Sequence, residues 1–281
     1  MIRGVRTRVQ RMAAIKAVLC DLSGTLHVGK QPIPGAPEAL ERLQGSGVKV
    51  IFVTNTTKES SGSLYAKLDA MGFKIKREDI WSSLSAAKNL IQEKKLRPML
   101  LLSSSAMEDF GDIDTTKPNA VVVGLAPSLF DYAHLNSAFR LMREEKAGLY
   151  AIHKGRYMKT KDGLSMGPGG FVQALEYATG ATAEIIGKPA PSFFHNALKL
   201  IDAKATEAVM IGDDVRDDVG GAQACGIRGM LVQTGKYTKG DETKYNVAPW
   251  QVPKDFPSAV EFILKHNQGC DGGKEQTQLS S

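Results

Sequence analysis

The sequence predicts a doubly wound α/β fold: a Rossmann-like parallel-sheet core with a second α/β unit inserted into it. Three observations carry this reading. Short β-branched apolar runs recur with helical patterns between them, as in strand–helix–strand units. The runs are apolar throughout and do not alternate with polar residues, as in strands buried on both faces. The same alternation then restarts in mid-chain, across residues 84–184, on its own account.

Taken in order, residues 1–14 form a basic tail, expected to be disordered, and residues 15–83 the first part of the core. "IKAVLC" and "VKVIFVT" are its strands. Between them "PGAPEALERLQGSG" is a helix opened by prolines and closed by glycine. Leu64, Leu68 and Met71 share a helical face, and Gly72 stops that helix. The insert follows, with strands at "PMLLLSS", "NAVVVGL" and "LYAIHKG". Leu135, Ala138, Phe139 and Met142 mark one of its helices and "GFVQALEYATG" another. Residues 185–266 complete the core. That series reads as "AEIIG", a helix striped by Phe194, Ala197, Leu198 and Ile201, then "EAVMIGDD", a helix up to Gly226 and "RGMLVQTG". Residues 267–281 are polar and Gly-rich and read as a disordered tail.

Composition narrows the function classes. With 281 residues, 42% hydrophobic and 23% charged, the chain suits one large or two modest soluble domains. No apolar run is long enough to span a membrane. The net charge of +6 is mostly a property of "MIRGVRTRVQR", where Arg3, Arg6, Arg8 and Arg11 supply four charges. The charge therefore describes a tail and no nucleic-acid face. That tail is Arg-rich and acid-free like a transit peptide, but very short, and "RMAAIKAVL" reads as a start at Met12. A cytoplasmic location is the expectation, with mitochondrial targeting the alternative. Cys20, Cys225 and Cys270 make neither a CxxC pair nor an even framework, so no disulfide or zinc site is expected.

Sites in open α/β sheets form outside the carboxyl ends of the strands. The first strand delivers Asp21, with Ser23, Gly24 and Thr25 in the turn, and the second delivers Thr54 and Asn55. "IGKPAP" supplies Lys188, and "AVMIGDD" supplies Asp213 and Asp214, with Asp217 and Asp218 just beyond. Each has a plain reading alone: a turn, a surface lysine, an acidic helix start. Together they make a phosphoryl-transfer site. Asp21 and Asp213 suit Mg²⁺, which prefers oxygen ligands. Lys188, the Thr54 hydroxyl and nearby N–H groups suit the phosphate. A strand-end carboxylate can attack phosphorus.

These residues resemble the haloacid dehalogenase-like hydrolases over about residues 15–265, with "DLSGT", "VTN", "GKP" and "GDDVRDD" as the family's four motifs in order. The resemblance implies an α/β cap between the second and third motifs, with "MGPGGFVQALEYATG" leading back into the core. It makes Asp21 the nucleophile and a Mg²⁺ ligand, with the Ser23 backbone carbonyl and Asp213 as further ligands. Thr54, Asn55 and Thr56 would bind phosphate, with Lys188 as its counter-charge. Asp218 would support the metal, and Asp214 and Asp217 compete for that role. The substrate implied is a phosphorylated small molecule or side chain, and the capped branch often dimerises through the cap.

Ser23 departs from the pattern. The family's phosphatases mostly carry aspartate there as the general acid and base. Serine keeps the backbone carbonyl but cannot donate or take that proton at neutral pH, and a positioned acid or base is worth about 10²–10⁴-fold. Substrates with good leaving groups, phosphoramidates and pyrophosphate, are therefore expected. The alternative is a catalytically weak phosphate-binding or interaction protein. Carbon–halogen hydrolysis is disfavoured, because it needs no metal and the acidic cluster looks built for one. Cys20 reads as packing, His27 as a lesser candidate for substrate contact, and "GPGG" at 167–170 as a loop and not a nucleotide loop.

Overall fold

The computed structural model describes residues 13–57, 59–160 and 163–271. The expectations for the arginine-rich tail over 1–12 and for 272–281 lie outside the described residues.

Strand β1 (Ala17–Cys20) leads into a small hairpin, β2 (His27–Val28) and β3 (Gln31–Pro32). Helix α1 (Ala36–Gly45) starts with a proline in its first turn and buries Ala36, Ala39, Leu40 and Leu43, one stripe at helical spacing. Strand β4 (Lys49–Thr54) and helix α2 (Ser61–Ala70) follow, the latter capped by Ser60 accepting from the Ser63 N–H. Strand β5 (Ile80–Ser82) and helix α3 (Ser83–Glu93) come next, with Ser82 as the cap. Neither β5 nor α3 was foreseen from the sequence.

The insert comprises β6 (Pro98–Leu101), α4 (Ser104–Met107), β7 (Ala120–Val123), α5 (Tyr132–Glu144) and β8 (Gly148–Ala151). A hairpin, β9 (Tyr157–Thr160) and β10 (Gly163–Met166), precedes α6 (Gly169–Thr179) and β11 (Glu184–Ile185). The core resumes with α7 (Pro191–Leu200), β12 (Ala208–Gly212), a wide π-helical turn (Val215–Gly220) and α8 (Gly221–Ala224). Strand β13 (Arg228–Leu231), α9 (Asp241–Lys244) and α10 (Phe256–Asp271) finish it.

The core sheet has the order β13-β12-β1-β4-β5 and the cap sheet β11-β8-β7-β6, both parallel throughout. Period-two geometry divides the core strands between two apolar layers. Val18, Cys20, Phe52, Val209 and Ile211 face the layer formed with α1, α2 and α10. Ala17, Leu19, Ile51, Val53, Ala208 and Met210 face the other, formed with α3 and α7. This second layer continues without a break into the cap through Leu102, Val122 and Ile152. Helix α3 is thus roofed by both sheets.

Two expectations are corrected. "AEIIG" was assigned to the core series, but β11 pairs with β8 and is an edge of the cap sheet. The C-terminal helix runs to Asp271, beyond residue 266. It continues because its last turns are docked: Asn267 accepts from the Ile15 N–H and donates to the Ile15 carbonyl, both at 2.8 Å. That exchange ties the approach to β1 onto α10. Among the described residues no helix is long and apolar enough to cross a membrane.

Candidate active site

The strand order reverses at β1, whose neighbours are β12 and β4, and the catalytic candidates gather at this switch point. Cys20 lies level with Phe52 on one side and Ile211 on the other, so Asp21, the next residue, emerges between two strand ends. Its N–H still bonds to the Ile211 carbonyl at 2.9 Å, which fixes its backbone to the sheet. The Cys20 thiol, fully buried, donates to the Asp21 carbonyl and packs in the core.

Lys188 crosses the site beneath these ends. Its Nζ donates to Asp21 Oδ1 at 2.5 Å, to Asp218 Oδ1 at 2.6 Å and to the Val53 carbonyl at 3.1 Å. Burial alone would lower its pKa, but the charges of Asp21 and Asp218 and their hydrogen bonds outweigh it and keep the ammonium charged. Asp21, Asp213 and Asp218 are all buried, and each places a carboxylate oxygen within 4.8 Å of the others. Burial first, and then the charge of Asp21, push Asp213 up to about 7. Burial also dominates at Asp218 and, with Asp21 and Asp213, lifts it well above the usual carboxyl range despite Lys188. Three buried carboxyls around one ammonium hold more negative charge than the site compensates. They fit a hard divalent cation.

Asp218 is placed by the π-helical turn, in which the Asp214 carbonyl accepts from both the Asp218 and Val219 N–H groups. Its carboxylate lies where a side chain on residue 212 would sit, and that residue is glycine. Asp214 and Asp217 stand apart from the cluster. The Asp214 carboxylate caps the turn, accepting from the Arg216 and Asp217 N–H groups.

The second-strand residues divide their roles. Thr54 is buried at the end of β4, and the Thr56 carbonyl accepts from Ser83 Oγ at 2.8 Å. Asn55 was expected on phosphate, but its side chain is spent on Lys188: Oδ1 accepts from the Lys188 N–H at 2.9 Å and Nδ2 donates to its carbonyl at 2.8 Å. Asn55 therefore positions the lysine. Ser23 is exposed in the turn two residues beyond Asp21. His27 is buried, with Nδ1 donating to the Gly29 carbonyl at 3.0 Å, and its pKa is lowered first by burial and then by Lys67.

One segment was missed. After β13, the Lys236 N–H donates to Asp213 Oδ2 at 2.6 Å, and Thr234 Oγ1 to the Gly24 carbonyl at 2.5 Å. Lys236 Nζ lies 3.3 Å from Asp214 Oδ2. The signal was present, because "RGMLVQTGK" is another strand end and β13 adjoins β12. Gly24 and Gly235 both have positive φ, 98° and 60°, and a side chain on either would overlap the Asp213 carboxylate. Gly235→Ala should therefore cost about 2–4 kcal/mol, combining backbone strain and overpacking. Urea unfolding measures it, and a parent-like midpoint would mean that the loop retreats freely.

A family model described as haloacid dehalogenase-like hydrolase matches residues 18–113, and a second, HAD-hydrolase-like model matches residues 185–259. The chain is 55% identical over 253 residues to haloacid dehalogenase-like hydrolase domain-containing protein 2 of Bos taurus, covering 90% of this chain and 97% of that one. It is 40% identical over 262 residues to human phospholysine phosphohistidine inorganic pyrophosphate phosphatase, covering 92% and 97%. In structure it is similar to a glycerol phosphate phosphatase of Mycobacterium tuberculosis in complex with magnesium. That match has a TM-score of 0.77 and 28% identity, and covers 87% of this chain and 76% of the other. The two matched segments carry Asp21 and Thr54 on one side of the insert and Lys188, Asp213 and Asp218 on the other. The chain belongs to the haloacid dehalogenase-like hydrolases and is a phosphatase of that family.

Proposed function

We propose that the protein is a Mg²⁺-dependent phosphatase that passes the phosphoryl group of its substrate to Asp21 and then to water. We further propose that it favours phosphoramidates and pyrophosphate over alkyl phosphate esters. The observation that carries this is the pairing of Asp21, locked by Lys188 at the switch point, with an exposed Ser23 two residues on. Lys188 holds Oδ1 of Asp21, so Oδ2 is the oxygen offered to phosphorus. The new O–P bond forms as the bond to the leaving nitrogen or oxygen breaks, and water then releases phosphate and restores the carboxylate.

Asp21, Asp213 and the Ser23 carbonyl would hold Mg²⁺, with Asp218 in support, and the ion when bound would neutralise charge on the phosphate. Thr54 and the main-chain N–H groups of Asn55 and Thr56 would bind the phosphate oxygens, and Lys188 would balance their charge. Ser23 cannot protonate a departing alkoxide. A phosphoramidate nitrogen is basic enough to take its proton from water, and a phosphate leaving group needs little help. The substrate is a phosphorylated small molecule or a phosphorylated side chain. The name of the human relative, which covers both phosphoramidates and pyrophosphate, supports this preference. Exposed Tyr132 and Tyr177 on α5 and α6 suit a homodimer through the cap.

The test is an acid-quenched time course with Mg²⁺ and a radiolabelled phosphoramidate, with peptide mapping of the label. Label on Asp21 that forms and decays is the expected result. No label and no phosphate release would favour the second reading, a phosphate-binding protein with little turnover, which Ser23 motivates. Ser23→Asp discriminates further, with an expected gain of about 10²-fold or more on alkyl esters. Inactivity on esters in both forms would count against the phosphatase mechanism.

A further inference from the structure

The loop leaving β4 does not stand free above the core. Thr57, 2% exposed, is met by the carboxyl ends of three adjacent cap strands. Just past β6, Ser103 Oγ donates to the Thr57 carbonyl at 3.2 Å. Just past β7, Gly124 packs so close that a side chain there would lie 3.4 Å from Thr57 Cβ. Two residues past β8, His153 Nε2 lies 3.4 Å from Thr57 Oγ1. The His153 ring is oriented from its other side, because Nδ1 accepts from the Gly155 N–H at 3.1 Å. With Nδ1 as acceptor, the ring hydrogen is on Nε2, which donates to the threonine hydroxyl.

The strand end that carries His153 also reaches the lysine loop. The Ile152 carbonyl accepts from the Gly187 N–H at 2.9 Å, one residue before Lys188. Two further contacts stitch the same core loop to the cap: the Ser60 N–H to Ser105 Oγ at 3.3 Å, and Ser61 to both carboxylate oxygens of Asp109 at 2.8 Å. Residues 54–56 thus enter the site from a loop whose far side is fastened to the cap.

We propose that His153 is a positioning residue: acting through Thr57, this cap histidine sets where the Thr54–Thr56 main chain meets a phosphate group. The inference rests on the phosphate-binding role given above to Thr54–Thr56. It assigns the cap a task in phosphate binding. A binding loop held in register makes its hydrogen bonds without first being ordered, and loss of one support weakens phosphate binding in the ground and transition states alike.

The test compares the full-length wild type with His153→Ala, His153→Gln, Thr57→Val and the Ala/Val double variant. Each is measured for KM and kcat on p-nitrophenyl phosphate and for inorganic phosphate affinity by calorimetry with Mg²⁺. Loss of one hydrogen bond corresponds to about a three- to tenfold change. KM and the phosphate dissociation constant should rise together by that factor in His153→Ala and Thr57→Val, with kcat changed less. Glutamine, whose amide N–H can replace Nε2–H, should restore most of the loss, and the double variant should be no worse than either single. Unchanged phosphate affinity in both single variants would overturn the proposal. So would a glutamine variant as impaired as alanine, or a melting-temperature drop with no shift in KM. Asp21→Asn, run alongside, separates the two ideas: if it keeps turnover the phospho-aspartate mechanism falls, while phosphate affinity still reports on His153.

Discussion

Replacing Lys188 with methionine will reduce turnover by on the order of 10²–10³-fold and lower unfolding stability at neutral pH by about 3–5 kcal/mol. Methionine fills the lysine's path but removes the only cation that touches both Asp21 and Asp218 among the described residues. What remains is a set of buried carboxyls with no counter-charge between them, and such groups take up protons in order to stay folded. The folded pKa values of Asp213 and Asp218 then lie further above the unfolded value of about 3.9. An acid shifted upwards in this way costs nothing below its unfolded pKa. Its cost grows as pH rises towards the folded pKa. The deficit against wild type should therefore be small near pH 4.5 and large near pH 7.5. Urea unfolding at both values measures it, and an equal deficit at the two would show that lost packing, and not charge, is responsible. Added Mg²⁺ should narrow the deficit at the higher pH, because a bound cation stabilises the folded form.

Asp21→Asn separates turnover from stability. Turnover should fall by about 10⁴-fold or more, since the amide is no nucleophile towards phosphorus and nothing else in the cluster stands at that place. Stability should hold or rise by about 1 kcal/mol. The charge of Asp21 is the second cause, after burial, of the upward shift that brings Asp213 to about 7, and the amide removes it. Lys188 keeps its partner Asp218, so the ammonium is not stranded. A thermal melt beside a phosphate-release assay checks both halves. Strong destabilisation would mean that Asp21 also anchors the turn at Ser23–Gly24, and retained turnover would remove it as the nucleophile.

The two variants also show what was legible in the sequence. Four of the five core strands announced themselves by apolar runs, the three-residue β5 being the exception, and the strand-end rule led directly to Asp21, Thr54 and Asp213, because parallel strands deliver neighbouring ends to one edge. The functions of side chains that reach across the fold were less visible. Asn55 reads as a phosphate binder until its amide is seen paired with a main chain 133 residues away. Lys236 acts on Asp213 through its N–H, a group that every residue but proline has and that no composition reveals. Among the acids of "GDDVRDD", spacing alone left the supporting role open. The wide turn brings Asp218 into the cluster and turns Asp214 onto its own backbone. "AEIIG" went to the wrong sheet because a two-residue strand carries no mark of its partner. Residues 267–271 were read as tail because Asn267, Gly269 and Cys270 resemble one, and the Asn267–Ile15 exchange shows how helix α10 is held through them.

The shared apolar layer around α3 bears on attempts to re-engineer specificity by exchanging caps between relatives. Leu84, Ala87 and Ile91 belong to the same cluster as Leu19 and Val53 below and Leu102, Val122 and Ile152 above. A graft cut at the obvious connections would join surfaces shaped for other partners, and mismatched packing costs about 1–3 kcal/mol at each overfilled contact. The transferable module is therefore larger than the insert. It has to carry α3, the Thr57 loop and Ile186 with it, so that the packing of α3 against Leu102, Val122 and Ile152 is kept, and the recipient's core strands have to match α3 where Leu19 and Val53 meet it.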